Sequence, residues 1–226
     1  RDVYKRQFAQ PHDSLLLESA DIETKKNLNC LAILKAALRV TCHGHRVEVR
    51  ALTNAGEVLL PPLRDRFRHR LVSRETTTAV FEFPPSAEPD ERQRLLAEST
   101  ADILRFFQLE ATYSSPLLPF LGGGFAYDYL ATFEDLPEVK PGPNSYPDYE
   151  FLVAQTVLEV DHLQRTARLE GWDIDEDHLK AELDSLATRP ETPRPTAPQR
   201  SKIRAVADAD DATFRADVEK LQRKIH

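Results

Sequence analysis

The sequence has no methionine, not even at position 1, and only two cysteines, Cys30 and Cys42, among 226 residues. No apolar run approaches the roughly 18 residues that a membrane helix needs. The first residues are polar, so no signal peptide is visible. Two cysteines make no disulfide framework, and the chain reads as that of a reduced, cytoplasmic protein. Positive charge is short as well: 30 Lys and Arg stand against 37 Asp and Glu, a net of −7. That sign argues against a nucleic-acid or anionic-membrane surface.

The opening "RDVYKRQ" matches no fold pattern that follows. Asp2–Gln7 is what GAT-GTG-TAT-AAG-AGA-CAG encodes, a string that resembles the transposase end sequence used to build sequencing libraries. Residues 1–7 are therefore expected to be non-native and no part of the fold.

What is present is an ordinary globular balance, 41% apolar and 30% charged, in a chain long enough to bury a sizeable core. Leu28, Leu31, Ala32 and Lys35 fall at helical spacing, which predicts a helix over 23–36 with Asp21 or Thr24 as its cap. Leu38, Val40 and Cys42 alternate, as do Val47 and Val49, and "HGH" between them reads as a hairpin turn. "TNAG" reads as a second turn before a strand at Val58–Leu60. "TTTAVFEF" at 76–83 is a strand by its β-branched and aromatic content. Residues 88–110 predict one helix with Leu95, Leu96, Ser99, Ile103, Phe106 and Phe107 on a face. "PFLGGGFAYDYLATFEDLP" follows, and a glycine run inside an aromatic strand signals a bulge or a close backbone approach. Two strands fill 150–172, and a short helix spans about 176–187. A proline-rich linker occupies 189–200. A last helix carries a Phe214, Val218, Leu221, Ile225 stripe behind an Asp cap. Hairpins dominate and helices are interspersed, an α+β pattern with antiparallel sheets.

The chemistry-bearing residues first receive plain readings. His43 and His45 flank a turn glycine with no third ligand nearby, so they read as a solvated turn. Cys30 reads as a buried helix residue. "LGGGF" lacks dinucleotide-binding spacing and leads into a strand. Glu134–Asp135 reads as a solvated loop or cap, and Lys25–Lys26 as an exposed helix face. In "LLLESADI" at 15–22, Ser19 reads as a cap or strand-end serine and Glu18 as a partner in a cross-strand salt bridge. Residue chemistry alone stops at an α+β domain of unknown ligand.

Two longer stretches, "LLLESADIETKKNLNCLAILKAALRV" and "GGGFAYDYLATFEDLP", resemble the N-terminal region of anthranilate synthase component I. "ALTNAGEVLLPPL" and "FLVAQTVLEVDHLQRTARLEG" keep the same order, and "DATFRADVEKLQRKIH" is similar to the helix that opens that family's catalytic region. The resemblance covers about residues 13–226. It implies antiparallel sheets packed as a sandwich with helices outside. It divides the chain into an N-terminal domain at 8–188, the linker at 189–200 and the truncated start of a chorismate-binding domain at 201–226. It implies formation of anthranilate and pyruvate from chorismate and glutamine-derived ammonia, with Mg²⁺ as cofactor and a glutamine amidotransferase subunit as partner. The family's chorismate and Mg²⁺ ligands lie beyond this stretch, so no catalytic or metal residue is assigned here, and the chain alone is expected to be inactive. What the resemblance does place here is half of a feedback site for L-tryptophan, at Ser19 with Glu18 beside it. Two other readings stay open. One is the related aminodeoxychorismate synthase component I. The other is a stand-alone amino-acid-binding regulatory module.

Overall fold

A computed structural model describes residues 13–18, 29–86, 88, 90–112, 120–134, 146–172, 175–188 and 210–225. Residues 1–7 and the linker at 189–200 lie outside these. The chain divides into two compact units, Arg1–Pro190 and Glu191–His226.

In the first unit, β1 (Leu15–Glu18), β2 (Asn29–His43), β3 (Arg46–Ala51), β4 (Leu71–Arg74), β5 (Thr78–Glu82), β6 (Leu121–Phe125), β7 (Tyr149–Asp161) and β8 (Thr166–Gly171) form one eight-stranded sheet. Every pairing is antiparallel, in the order β4-β5-β3-β2-β7-β6, with β1 added on β2 and β8 on β7. The long strands β2 and β7 belong to both halves of the sheet. β1 and β8 flank one half, and β3 and β6 flank the other. Between Ile33 and Leu38 the β2–β7 register shifts, which breaks the regular ladder where the halves meet. The α+β architecture with antiparallel strands and flanking helices is therefore present, and its strands join in a single sheet.

The helix predicted over 23–36 is a correction. From Asn29 onward the chain is strand β2, and residues 23–28 lie outside the described residues. Cys30, Ala32, Ile33, Leu34, Ala36, Ala37 and Leu38 are all buried. A central strand covered on both faces needs apolar residues almost continuously, and such a run satisfies helical spacing by accident. Cys30 is accordingly a buried strand residue. The "HGH" turn holds, with Gly44 at φ +57°.

The strand expected at Val58–Leu60 is also corrected: it lies inside helix α1 (Asn54–Arg66). Thr53 caps it, its hydroxyl accepting from the Gly56 amide at 3.2 Å. Glu57 sits in the first turn and Arg64 and Arg66 in the last, each complementing the helix dipole. Leu59, Leu60 and Leu63 face the core beside Phe67, which meets Phe81, Phe83 and Phe106 edge-on.

The single helix expected over 88–110 is broken into α2 (Glu91–Leu96) and α3 (Asp102–Arg105), the latter running into a π-helical turn at Phe106–Glu110. Thr100 sits in the break and is buried. Its hydroxyl bonds the Tyr129 hydroxyl at 2.9 Å, and its carbonyl accepts from Tyr149 Oη at 2.7 Å. These contacts to distant residues replace a helical turn. Leu95 and Leu96 consequently stand exposed, and Ile103, Phe106 and Phe107 go into the core.

Helix α4 (Glu176–Thr188) follows β8 as expected. In the second unit, α5 (Asp211–Ile225) starts at Asp210, whose carboxylate accepts from the Thr213 amide at 2.8 Å. Phe214, Val218 and Leu221 of its stripe are exposed.

Candidate functional site

Glu18 ends β1 and stands opposite Cys30, while Ser19 lies outside the described residues. Alternation along β1 sends Leu15 and Leu17 to one face and Leu16 and Glu18 to the other. Leu15 packs on the main core, and Leu16 packs on a second cluster of Ala32, Leu34 and Leu158. Glu18 is exposed, and among the described residues no salt bridge to a neighbouring strand engages it. Burial, followed by the charge of Glu18, pushes the Cys30 thiol up, so it stays protonated as a small apolar wall. The strand end thus presents an exposed carboxylate on the face of an apolar patch that also includes Val160 and Leu169.

The glycine run explains how β1 is seated. A Cβ on Gly122 would collide with Leu15 Cδ2 and fall 2.8 Å from Ile33 Cδ1. A Cβ on Gly123 would collide with the Glu150 carbonyl and come within 2.7 Å of Phe151 Cα. Around Gly124 there is open space. The sequence expectation of close packing at "GGGF" therefore holds at two of the three glycines. Phe125 closes the strand against Tyr129, Tyr149 and Phe151, whereas Tyr127 projects into solvent.

Beyond the far end of β2 from Glu18 lies a cavity of 540 Å³ that the sequence reading missed. His45, Phe83, Arg94, Glu98, Ser99 and Phe133 line it from four separate segments, which no local pattern links. Glu98 accepts from Arg70 Nε and pairs with His69 Nε2, each at 2.8 Å. Burial alone would raise the Glu98 carboxyl; these hydrogen bonds outweigh it and hold the group below the usual carboxylate range. Arg94 reaches Glu134 at 3.4 Å, and among the described residues its buried Nε has no hydrogen-bond partner. The cavity offers charges of both signs and two aromatic walls.

Among the described residues, no group of three or more His, Cys, Asp or Glu comes together to hold a metal ion. Among the same residues no helix is long and apolar enough to cross a membrane.

One antiparallel eight-stranded sheet with helices beside it defines an α+β domain. The family model of chorismate binding enzymes matches residues 69–226, and the chain belongs to that family. Anthranilate synthase component 1 of Vibrio cholerae is 36% identical over 214 residues, 89% of this chain and 40% of that protein. Its namesake in Vibrio parahaemolyticus is 38% identical over 213 residues, 89% of this chain and 39% of that protein. The Escherichia coli protein of the same name is 33% identical over 94% of this chain and 43% of its own length. The chain thus spans about 40% of the length of the curated relatives it matches. A solved structure of anthranilate synthase component I from Streptococcus pneumoniae matches 82% of this chain and 31% of its own, at 10% identity and a TM-score of 0.36, too low to support a comparison of folds.

Proposed function

We propose that this chain is the N-terminal part of the large subunit of an anthranilate synthase. The reading is carried by one observation, the 36% identity to a protein of that name across 89% of the chain. In the proposed reaction, ammonia adds to the chorismate ring and the ring hydroxyl leaves as water. Loss of the enolpyruvyl group as pyruvate then gives anthranilate, so chorismate and ammonia become anthranilate, pyruvate and water. The ammonia would come from glutamine through an amidotransferase subunit. Mg²⁺, the cofactor the resemblance implies, would be held by residues outside this chain.

This part contributes regulation in the same reading. A free amino acid brings an ammonium that wants a carboxylate, a carboxylate that wants donors, and here an indole that wants an apolar surface. Glu18 supplies the exposed carboxylate at the end of β1, Ser19 follows it with a hydroxyl, and the Leu16 cluster borders the same face. Inhibition follows if L-tryptophan binds one of two enzyme states more tightly.

Anthranilate formation from chorismate and ammonium by the whole enzyme, followed by fluorescence, tests the reaction; an aminodeoxychorismate product would overturn it. Ser19→Phe tests the regulation. It should raise the tryptophan concentration for half-inhibition by roughly tenfold or more, a usual allosteric coupling, with turnover unchanged in its absence. Unaltered inhibition would remove Ser19 from the site.

A further inference from the structure

The two stretches that carry the resemblance meet in space. Leu15, at the start of "LLLES", fills the place where Gly122, in "GGGF", would carry a side chain. Ile33 of β2 borders the same spot at 2.8 Å from the missing Cβ. Of these two neighbours, Ile33 belongs to a strand paired on both sides, with β1 and β7. Leu15 belongs to a four-residue strand whose pairing partner among the described elements is β2 alone. Both neighbours meet the spot with the ends of their side chains, and if it is overfilled the half-buried Leu15 on the edge strand has more room to re-seat than the fully buried Ile33. Glu18 stands three residues from Leu15 along the same short strand, about 10 Å away.

We propose that Gly122 is a positioning residue for the regulatory end of β1. By lacking a side chain it sets how deeply Leu15 seats, and through Leu15 where Glu18 stands. The role rests on the tryptophan-feedback reading above and extends it to a residue that touches no ligand. Gly124, two positions on, has open space around it and plays no such part.

The test compares Gly122→Ala, Leu15→Ala, the double variant Gly122→Ala/Leu15→Ala, Gly124→Ala and Ser19→Phe in the whole enzyme, with ammonium as nitrogen donor. Gly122→Ala should raise the tryptophan concentration for half-inhibition roughly tenfold. kcat and the chorismate KM without tryptophan should stay within about twofold, a split that general unfolding does not produce. The double variant should return to the inhibition of Leu15→Ala alone, since the shortened side chain makes room for the added methyl. Gly124→Ala should behave as wild type. If Gly122→Ala does not fold, Leu15→Phe overfills the same contact from the edge strand and should give the same loss of inhibition. Unchanged inhibition, a parallel fall in kcat, or a loss that Leu15→Ala does not relieve overturns the proposal. Amide hydrogen exchange at Leu16 and Leu17 separates this from failure of the feedback reading. If Ser19→Phe leaves inhibition intact, feedback at this strand is wrong. Faster exchange in Gly122→Ala, slowed again in the double variant, then still supports the seating, and equal exchange in all variants overturns it.

Discussion

Tyr149 donates its phenolic proton to the carbonyl of Thr100 at 2.7 Å, and both residues are buried. The bond ties β7 to the break between α2 and α3, and the Thr100 hydroxyl extends it to Tyr129 at 2.9 Å. Burial pushes the Tyr149 and Tyr129 phenols up, so both remain neutral across the physiological range. Tyr149→Phe keeps the ring and strands a buried carbonyl. It should cost about 1–3 kcal/mol, read as a lower urea midpoint at unchanged slope.

Glu98 gives the chain an acid-sensitive contact. Its carboxyl lies below the usual range in the folded state, so the contact contributes fully above the unfolded pKa, near 4.3. It is lost as pH falls through the folded value. Glu98→Gln should lower stability by about 1 kcal/mol at pH 7, the usual worth of a charged hydrogen bond at a partly screened site. The difference from wild type should shrink as pH falls below the usual carboxylate range and through the folded value. Thermal melts of both proteins across that range check it; a constant gap would contradict the assignment.

Neighbouring glycines should respond in opposite ways. Gly123→Ala drives a methyl into the Glu150 backbone, which has little room to shift. A loss of at least about 1–3 kcal/mol is expected, as for overpacking elsewhere. Gly124→Ala meets open space and should be neutral or slightly stabilising, by a few tenths of a kcal/mol at most. Denaturant curves of the two variants give the comparison directly.

Both thiols should be inert while the chain is folded. Burial pushes Cys42 up to about 11 and raises Cys30 as well. At pH 8 neither presents a thiolate or an open path. A thiol reagent should label fewer than one cysteine per chain in buffer and two in denaturant. Rapid labelling of either in buffer would show that its strand opens locally.

Local chemistry made part of this fold legible. The Gly44 turn, the β7–β8 hairpin and helices α4 and α5 each rest on signals within a few residues of themselves. The first half of β2 was not legible, although Leu38, Val40 and Cys42 were, because burial on both faces erases the two-residue alternation that marks a strand. α1 was hidden because Val58–Leu60 reads as a short apolar strand until Gly56 is seen against the Ala37 backbone, where only a glycine fits. The break at Thr100 depends on Tyr129 and Tyr149, which no window around it contains. In the candidate site, the oddity of a carboxylate after a leucine run pointed to Glu18. The "GGGF" run announced a close approach but not its partner, Leu15. The cavity beside Glu98 draws on four segments and left no local trace.

Because β2 and β7 serve both halves of the sheet, the order of synthesis matters. Cys42 pairs with Tyr149 and Asn29 with Asp161, so β2 leaves the ribosome long before its main partner exists. At ordinary elongation rates about 100 residues take roughly 5–20 s. Through that interval an almost uninterrupted apolar strand waits with one side of its ladder unfilled. The nascent chain is then most exposed to mispairing, and a holding chaperone would have its natural target in residues 30–42.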